Sequence, residues 1–255
     1  MSKTIENLQM IKSVNTRIVE YIDRKLYPCY ETDWDNELLR EEVLQHIGQG
    51  CTFLEAGAGR GNKSHANFKD LVQTAVGVDI EDSVFENPYL HEKYVGSIDK
   101  MPFLESNRFD VVISNNVLEH VQEPDGFFAE LNRVMKPGAV LITKTPNFHH
   151  YMPIIASITP TWFHKFYNRL RGTSETDIFP TKYLINTKKD QYLFAQKHGF
   201  KITNIKFIEG RPEYLRISFF TYLAGFIYER FVNIFGLDGI KILIITVFTK
   251  TSSTD

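Results

Sequence analysis

Apolar residues recur at helical spacing over residues 4–26 and 36–47, with charged residues between them, which predicts two amphipathic helices early in the chain. Short apolar runs follow: CTFLEAG, VQTAVGVDI at 72–80, a weaker KYVGSI at 93–98 and RFDVVISNN at 108–116. Each reads as a buried strand, with a helical stretch expected after the glycines that close the first. DGFFAELNRVM at 125–135 reads as a helix stopped by Lys136-Pro137-Gly138, and AVLITKTPN at 139–147 as a fifth strand. Between 148 and 186 the rhythm breaks, with prolines, aromatics and no strand pattern. It resumes with a helix at 187–200, a strand at 200–210, a helix at 213–236 and a last strand at 239–250. Strands alternating with helices in this way predict an α/β fold, a mostly parallel sheet doubly wound with helices on both faces.

With no repeat and no low-complexity linker, residues 1–255 read as a single domain. Its parts are N-terminal helices (1–47), a ligand-binding core (48–147), an insertion (148–186) and a C-terminal helix–strand–helix–strand segment (187–255). The insertion follows a strand at the carboxyl edge of the sheet, where open α/β folds bind ligands, so it is expected to act as a lid.

Charge and composition narrow the partners. A net charge of −2 and a pI near 6.5 give no basic field, so no nucleic-acid partner is expected. Two cysteines, Cys29 and Cys51, fit plain thiols in a reducing compartment. The opening MSKTIENLQM lacks a secretory apolar run, so a cytoplasmic protein is expected. The apolar stretch 214–236 is interrupted by Arg216, Glu229 and Arg230, which argues against a membrane span. It reads either as a helix packed on the sheet or as one lying peripherally at the inner surface of a membrane.

The chemistry concentrates where the first strand ends, in FLEAGAGRGN at 53–62. Gly57, Gly59 and Gly61 allow a tight turn and a close approach of backbone to ligand. Their spacing is G-x-G-x-G, with Asn62 where a dinucleotide fingerprint has its third glycine. Glu55, just before the turn, suits a ligand with a positive group better than a pyrophosphate. Asp79 closes the second strand at the distance expected of an acid that accepts from ribose hydroxyls.

Five motifs in order, FLEAGAGRG, VGVDI, GSIDKMPF (96–103), RFDVVISNNVLEHV (108–121) and ELNRVMKPGAVLITKTPN (130–147), resemble the core of class I S-adenosylmethionine-dependent methyltransferases. The resemblance implies a Rossmann-like, seven-stranded sheet with its last strand antiparallel. It implies S-adenosyl-L-methionine as cofactor and S-adenosyl-L-homocysteine as product. Glu55 and the backbone at Gly57, Gly59 and Gly61 would hold the methionine end and Asp79 the ribose. Ile80 would pack on the adenine, Ser97 and Ile98 would face its edge, and Asn115 with Asn116 would line the reactive side.

For a hydroxyl acceptor a base is needed, and His120, just after the fourth strand, is the first candidate. It reads equally as a histidine that packs locally. His149 and His150 are second candidates. Glu119 is placed either to orient His120 or to face a helix dipole. Asn115 and Asn116 leave too few carboxylates for an oxygen-rich metal site, so no metal is expected. Trp162, Phe163, His164, Phe166 and Tyr167 read as an acceptor pocket or as a satellite core, and Arg169 and Arg171 as anion ligands or solvated cations. The resulting expectation is methyl transfer to a small-molecule or glycan hydroxyl. The alternatives are a quinone or lipid acceptor at a membrane surface, a nicotinamide-dependent oxidoreductase, or a non-catalytic donor-binding module.

Overall fold

The computed structural model describes residues 17–28, 33–62, 66–159 and 181–251, and these fall into two compact units. A sheet unit draws on segments 35–148, 180–207 and 243–255, and a helical unit on segments 1–34, 149–179 and 208–242.

The sheet unit is built on seven strands: β1 (Thr52–Ala56), β2 (Thr74–Asp79), β3 (Glu92–Val95), β4 (Phe109–Asn115), β5 (Met135–Pro146), β6 (Phe200–Ile208) and β7 (Leu243–Lys250). Their order across the sheet is β3-β2-β1-β4-β5-β7-β6. The first five are parallel, with Glu55 of β1 beside Gly77 of β2 and Ile113 of β4. Strand β7 runs antiparallel to β5, from Val140↔Thr249 to Pro146↔Leu243. It is also antiparallel to β6, since Thr251 N–H donates to Gly199 O and Thr203 Oγ1 to Val247 O. The central strands are apolar on both sides because helices cover both faces.

Helix α2 (Trp34–Leu44) precedes β1, α3 (Pro124–Val134) leads into β5, and α5 (Lys188–Lys197) leads into β6. Phe128 of α3 anchors one face, with the rings of Phe194, Phe200 and Phe248 all within 6.0 Å of it. The sequence places this rhythm well, with two departures. No α-helix follows the glycines among the described residues; Lys69–Leu71 makes only a 3-10 turn. GNKSHANFKD has too few apolar residues for a buried helical face and is rich in residues that favour turns. Strand β5 also begins earlier than its apolar run. It starts at Met135 and passes through Lys136-Pro137-Gly138 by a register shift, with Gly138 at φ 77°.

The helical unit holds α1 (described over 17–26), α4 (Tyr151–Ile158) and α6 (Phe219–Ile234). Ser218 and Thr221 form a reciprocal capping box that starts α6. One side of α6 packs on α1: Tyr222 joins Val19 and Tyr27 in a buried cluster, and Tyr27 Oη donates to Glu229 Oε2 at 2.7 Å. Tyr222 Oη donates to Asp23 Oδ1, and Arg216 pairs with the other oxygen, each at 2.6 Å. Among the described residues no helix is long and apolar enough to cross a membrane. The aromatic and basic cluster from Trp162 to Arg171 lies outside the described residues.

Candidate functional site

Glu55, Gly57, Gly59, Gly61, Asp79, Ile80, Ser97, Ile98, Asn115 and His120 all lie at or just beyond the carboxyl ends of β1 to β4. In a parallel sheet these ends share one edge, so the topology alone gathers them.

The glycine turn is built for close approach. Gly57, Gly59 and Gly61 have φ of 85°, 50° and 73°, the left-handed region that costs glycine nothing. The N–H groups of Gly57 and Ala58 donate to Val78 O at 2.9 and 3.1 Å, which ties the turn to β2. A Cβ at Gly57 would collide with Val117, and one at Gly61 with Asn87. A Cβ at Gly59 would meet nothing within 4 Å, so this is the open point of the turn.

Asp79 accepts from Gly59 N–H at 2.8 Å through Oδ2 and from Glu81 N–H at 3.0 Å through Oδ1. The acid thus fixes the turn while staying half-exposed. Beside it Ile80 is 59% exposed, an unusual state for an isoleucine and a ready apolar surface. Ser97 is exposed, and Ile98 is half-buried against the core.

Glu55 is 5% exposed, and its Oε2 has no hydrogen-bond partner. Burial, and then the charge of Asp79, push its carboxyl up to about 8. A buried carboxyl beside an open glycine turn is poised for a cation that would restore its charge. That unsatisfied oxygen, together with the space at Gly59, fits a ligand bearing an ammonium.

Two supports were not foreseen. Asn87, 1% exposed, donates its amide to the carbonyls of Ala58 and Gly59 at 3.1 and 3.2 Å and so clamps the turn from behind. Lys144, fully buried in β5, donates to Asn36 Oδ1 at 2.6 Å and pairs with Asp35. Asn36 Oδ1 also accepts from Asn115 Nδ2 at 3.1 Å, which orients the Asn115 amide and leaves its Oδ1 buried without a partner. The only sequence signal was a charged residue within an apolar strand. Asn116 takes the left-handed turn that ends β4, at φ 54°.

His120 ends the 3-10 turn Leu118–His120 and is half-exposed. Its neighbour Glu119 is buried, accepts from Thr145 Oγ1 at 3.0 Å, and has its carboxyl raised chiefly by burial. Thr145 in turn accepts from Asn186 Nδ2 at 2.6 Å. This chain fixes the turn that carries His120.

His149 and His150 belong to the helical unit. His149 is exposed. His150 caps α4, its Nδ1 accepting from Met152 N–H at 3.2 Å, and burial drives its pKa down to about 3. Its Nε2 lies 3.7 Å from Glu209, whose carboxyl burial raises to about 8. Both groups are therefore neutral near pH 7, and the contact is not an ion pair. Among the described residues no three His, Cys, Asp or Glu side chains gather as metal ligands.

Comparison with known proteins matches this edge. Residues 54–143 fit the family model of the methyltransferase domain. A "Probable S-adenosylmethionine-dependent methyltransferase" of Mycolicibacterium smegmatis is 28% identical over 120 residues, 44% of this chain and 46% of its own. The mitochondrial ubiquinone biosynthesis O-methyltransferase of Candida albicans is 29% identical over 45% of this chain and 38% of its own. A tRNA U34 carboxymethyltransferase of Pseudoalteromonas translucida is 28% identical over 45% and 38%. The matches thus span less than half the length of these relatives. Among solved structures, the cyclase SpnF superposes with TM-score 0.55 at 14% identity, over 86% of this chain and 82% of that one. The geranyl diphosphate C-methyltransferase of Streptomyces coelicolor, in complex with S-adenosyl-L-homocysteine, gives 0.53 at 14% identity, over 84% and 78%. The fold is the Rossmann-like methyltransferase fold. Residues 54–143 carry a class I methyltransferase domain, whose cofactor is S-adenosylmethionine.

Proposed function

We propose that this chain transfers a methyl group from S-adenosylmethionine to a hydroxyl of a small-molecule or glycan acceptor. The observation that carries the donor side is Glu55, a buried carboxyl with an unpartnered oxygen beside the open Gly59. In this reading Glu55 receives the ammonium of the methionine end, and the turn from Gly57 to Gly61 lies along it. Asp79 has lone pairs left for ribose hydroxyls, while Ile80 and Ile98 flank the adenine and Ser97 its polar edge. Asn115 offers its free Oδ1 to the reacting side.

The donor brings a sulfonium methyl whose leaving group departs neutral, so the chain need only align the acceptor and remove its proton. Alignment supplies about 7–11 kcal/mol and a positioned base a factor of about 10²–10⁴. His120 is the base in this scheme. It is half-exposed at the same strand edge, and Glu119 beside it is anchored by Thr145 and Asn186. His150 is a weaker choice, because its Nδ1 is engaged as a cap and its ring is sealed. The similarity to the Candida albicans ubiquinone biosynthesis O-methyltransferase supports oxygen as the acceptor atom.

The test has two arms. Calorimetry should show binding of S-adenosylhomocysteine and none of NAD; heat with NAD alone would overturn the reading. Incubation with methyl-labelled donor and fractionated extract should label a hydroxyl compound. His120→Ala should cut turnover by about 10²–10⁴ while leaving donor affinity unchanged. An unaltered rate would remove His120 from the mechanism.

A further inference from the structure

Helix α6 buries only one of its sides. Tyr222, Gly225, Glu229 and Val232 face inward, whereas Phe220, Leu223, Ile227, Phe231 and Ile234 are 79, 41, 59, 52 and 74% exposed. These five recur every three or four residues, so they form one continuous apolar stripe down the outer face. Phe235 and Leu237, just past the helix, extend it at 64 and 37% exposed. Sixteen residues make a rod about 24 Å long, and an apolar strip of that length on a water-facing surface calls for an occupant.

The charges say what kind. The acid of α6, Glu229, is turned inward and takes hydrogen bonds from Tyr27 and Asn233, so the outer face carries no negative charge. Its one charged residue is Arg230, which lies over the rings of Tyr27 and Phe226. Helix α1, packed against α6 in the same unit, exposes Arg17, Arg24 and Lys25 against Glu20. Helix α4 belongs to that unit too, has no charged residue, and exposes Ile154, Ile155 and Ile158. The acid exposed at the end of the α6 stripe, Asp238, is paired with Lys241 at 2.8 Å, and α1 of the same unit exposes three cations against one acid. Apolar stripes in a unit with this balance complement a lipid surface with negative headgroups. A second protein copy would call for no such charge bias.

We propose that the outer face of α6 seats this protein peripherally on an anionic lipid bilayer, with Phe220, Ile227, Phe231 and Ile234 in the interface and the cations of α1 and Arg230 toward the headgroups. The inference stands apart from methyl transfer and does not depend on the acceptor.

Flotation of the whole protein with vesicles tests it. The wild type should rise with phosphatidylglycerol–phosphatidylcholine vesicles, rise much less with phosphatidylcholine alone, and lose binding as salt is raised. Ile227→Ser with Phe231→Ser should weaken partitioning by on the order of tenfold or more, with the melting temperature and sedimentation coefficient unchanged. Arg24→Glu with Lys25→Glu should remove the preference for anionic vesicles. Several results would overturn the proposal. One is protein that stays at the bottom of the gradient, or flotation indifferent to lipid charge. Another is a wild-type dimer that the serine variant turns into monomer, which would make the stripe a contact between copies. A lower melting temperature for that variant would make it a surface covered by the chain itself.

Discussion

Glu55 shows how a single side chain holds two opposed demands. Its raised pKa means that the folded protein keeps a proton the unfolded chain gives up between pH 4.5 and about 8. Over that window its contribution to stability falls as pH rises, by about 1.4 kcal/mol per unit at most. Glu55→Gln should therefore raise the melting temperature at pH 8 and change it little near pH 5. The same substitution removes the partner for the donor's ammonium. A charge-assisted hydrogen bond is worth about 1.5–3 kcal/mol, so donor affinity should fall roughly tenfold to a hundredfold. Melting curves at two pH values and one binding isotherm check both signs, and a variant that loses stability at pH 8 would refute the assignment. Glu55 and the glycines were readable in the sequence because a bare turn after an apolar strand has few other uses. Asn87 was not. Its side chain reaches back to the carbonyls of residues 58 and 59 from a separate loop, and no local pattern encodes that contact.

At the scale of elements, strands proved more legible than the segments joining them. An apolar run bounded by turn residues can hardly be anything but a buried strand in a chain of this rhythm. The stretch after the glycines lacks such a constraint, and its described residues hold a 3-10 turn at Lys69–Leu71 rather than an α-helix. The attachment of α2 was also hidden, because it rests on Lys144 meeting Asp35 and Asn36 across a hundred residues of sequence. Lys144→Met should free that attachment. It leaves Asn36 with one fewer donor and Asp35 facing a methionine, a loss of about 1–3 kcal/mol. Since Asn36 also holds Asn115, the variant should slow turnover more than it weakens donor binding. Denaturant midpoints together with kcat and donor Kd would show this, and a variant with native stability and kcat would disprove it.

At the scale of the whole molecule, burial has placed uncharged titratable groups in both units: Glu55 in the sheet unit, Glu209 and His150 in the helical one. The two carboxyls, each raised to about 8, withdraw stability as pH climbs from 4.5 toward 8. His150, lowered to about 3, acts in the opposite direction. The unfolded chain takes up its proton below pH 6.5 while the folded one does not, so stability is lost as pH falls from 6.5 toward 3. The slopes of His150 and one carboxyl cancel between pH 4.5 and 6.5, and above 6.5 only the carboxyls act. Of these groups alone, stability should be greatest on the acid side of neutrality, near pH 4.5, and fall most steeply between pH 6.5 and 8, by about 3 kcal/mol per unit at most. The two units separate the contributions. Glu209→Gln should flatten the alkaline fall for the helical unit alone, as followed by hydrogen exchange at α6 amides, while exchange in β1 and β4 keeps its pH dependence. Glu55→Gln should do the converse. If either substitution flattened both, the chain would unfold as one cooperative body, and the pH dependence would belong to that body rather than to its parts.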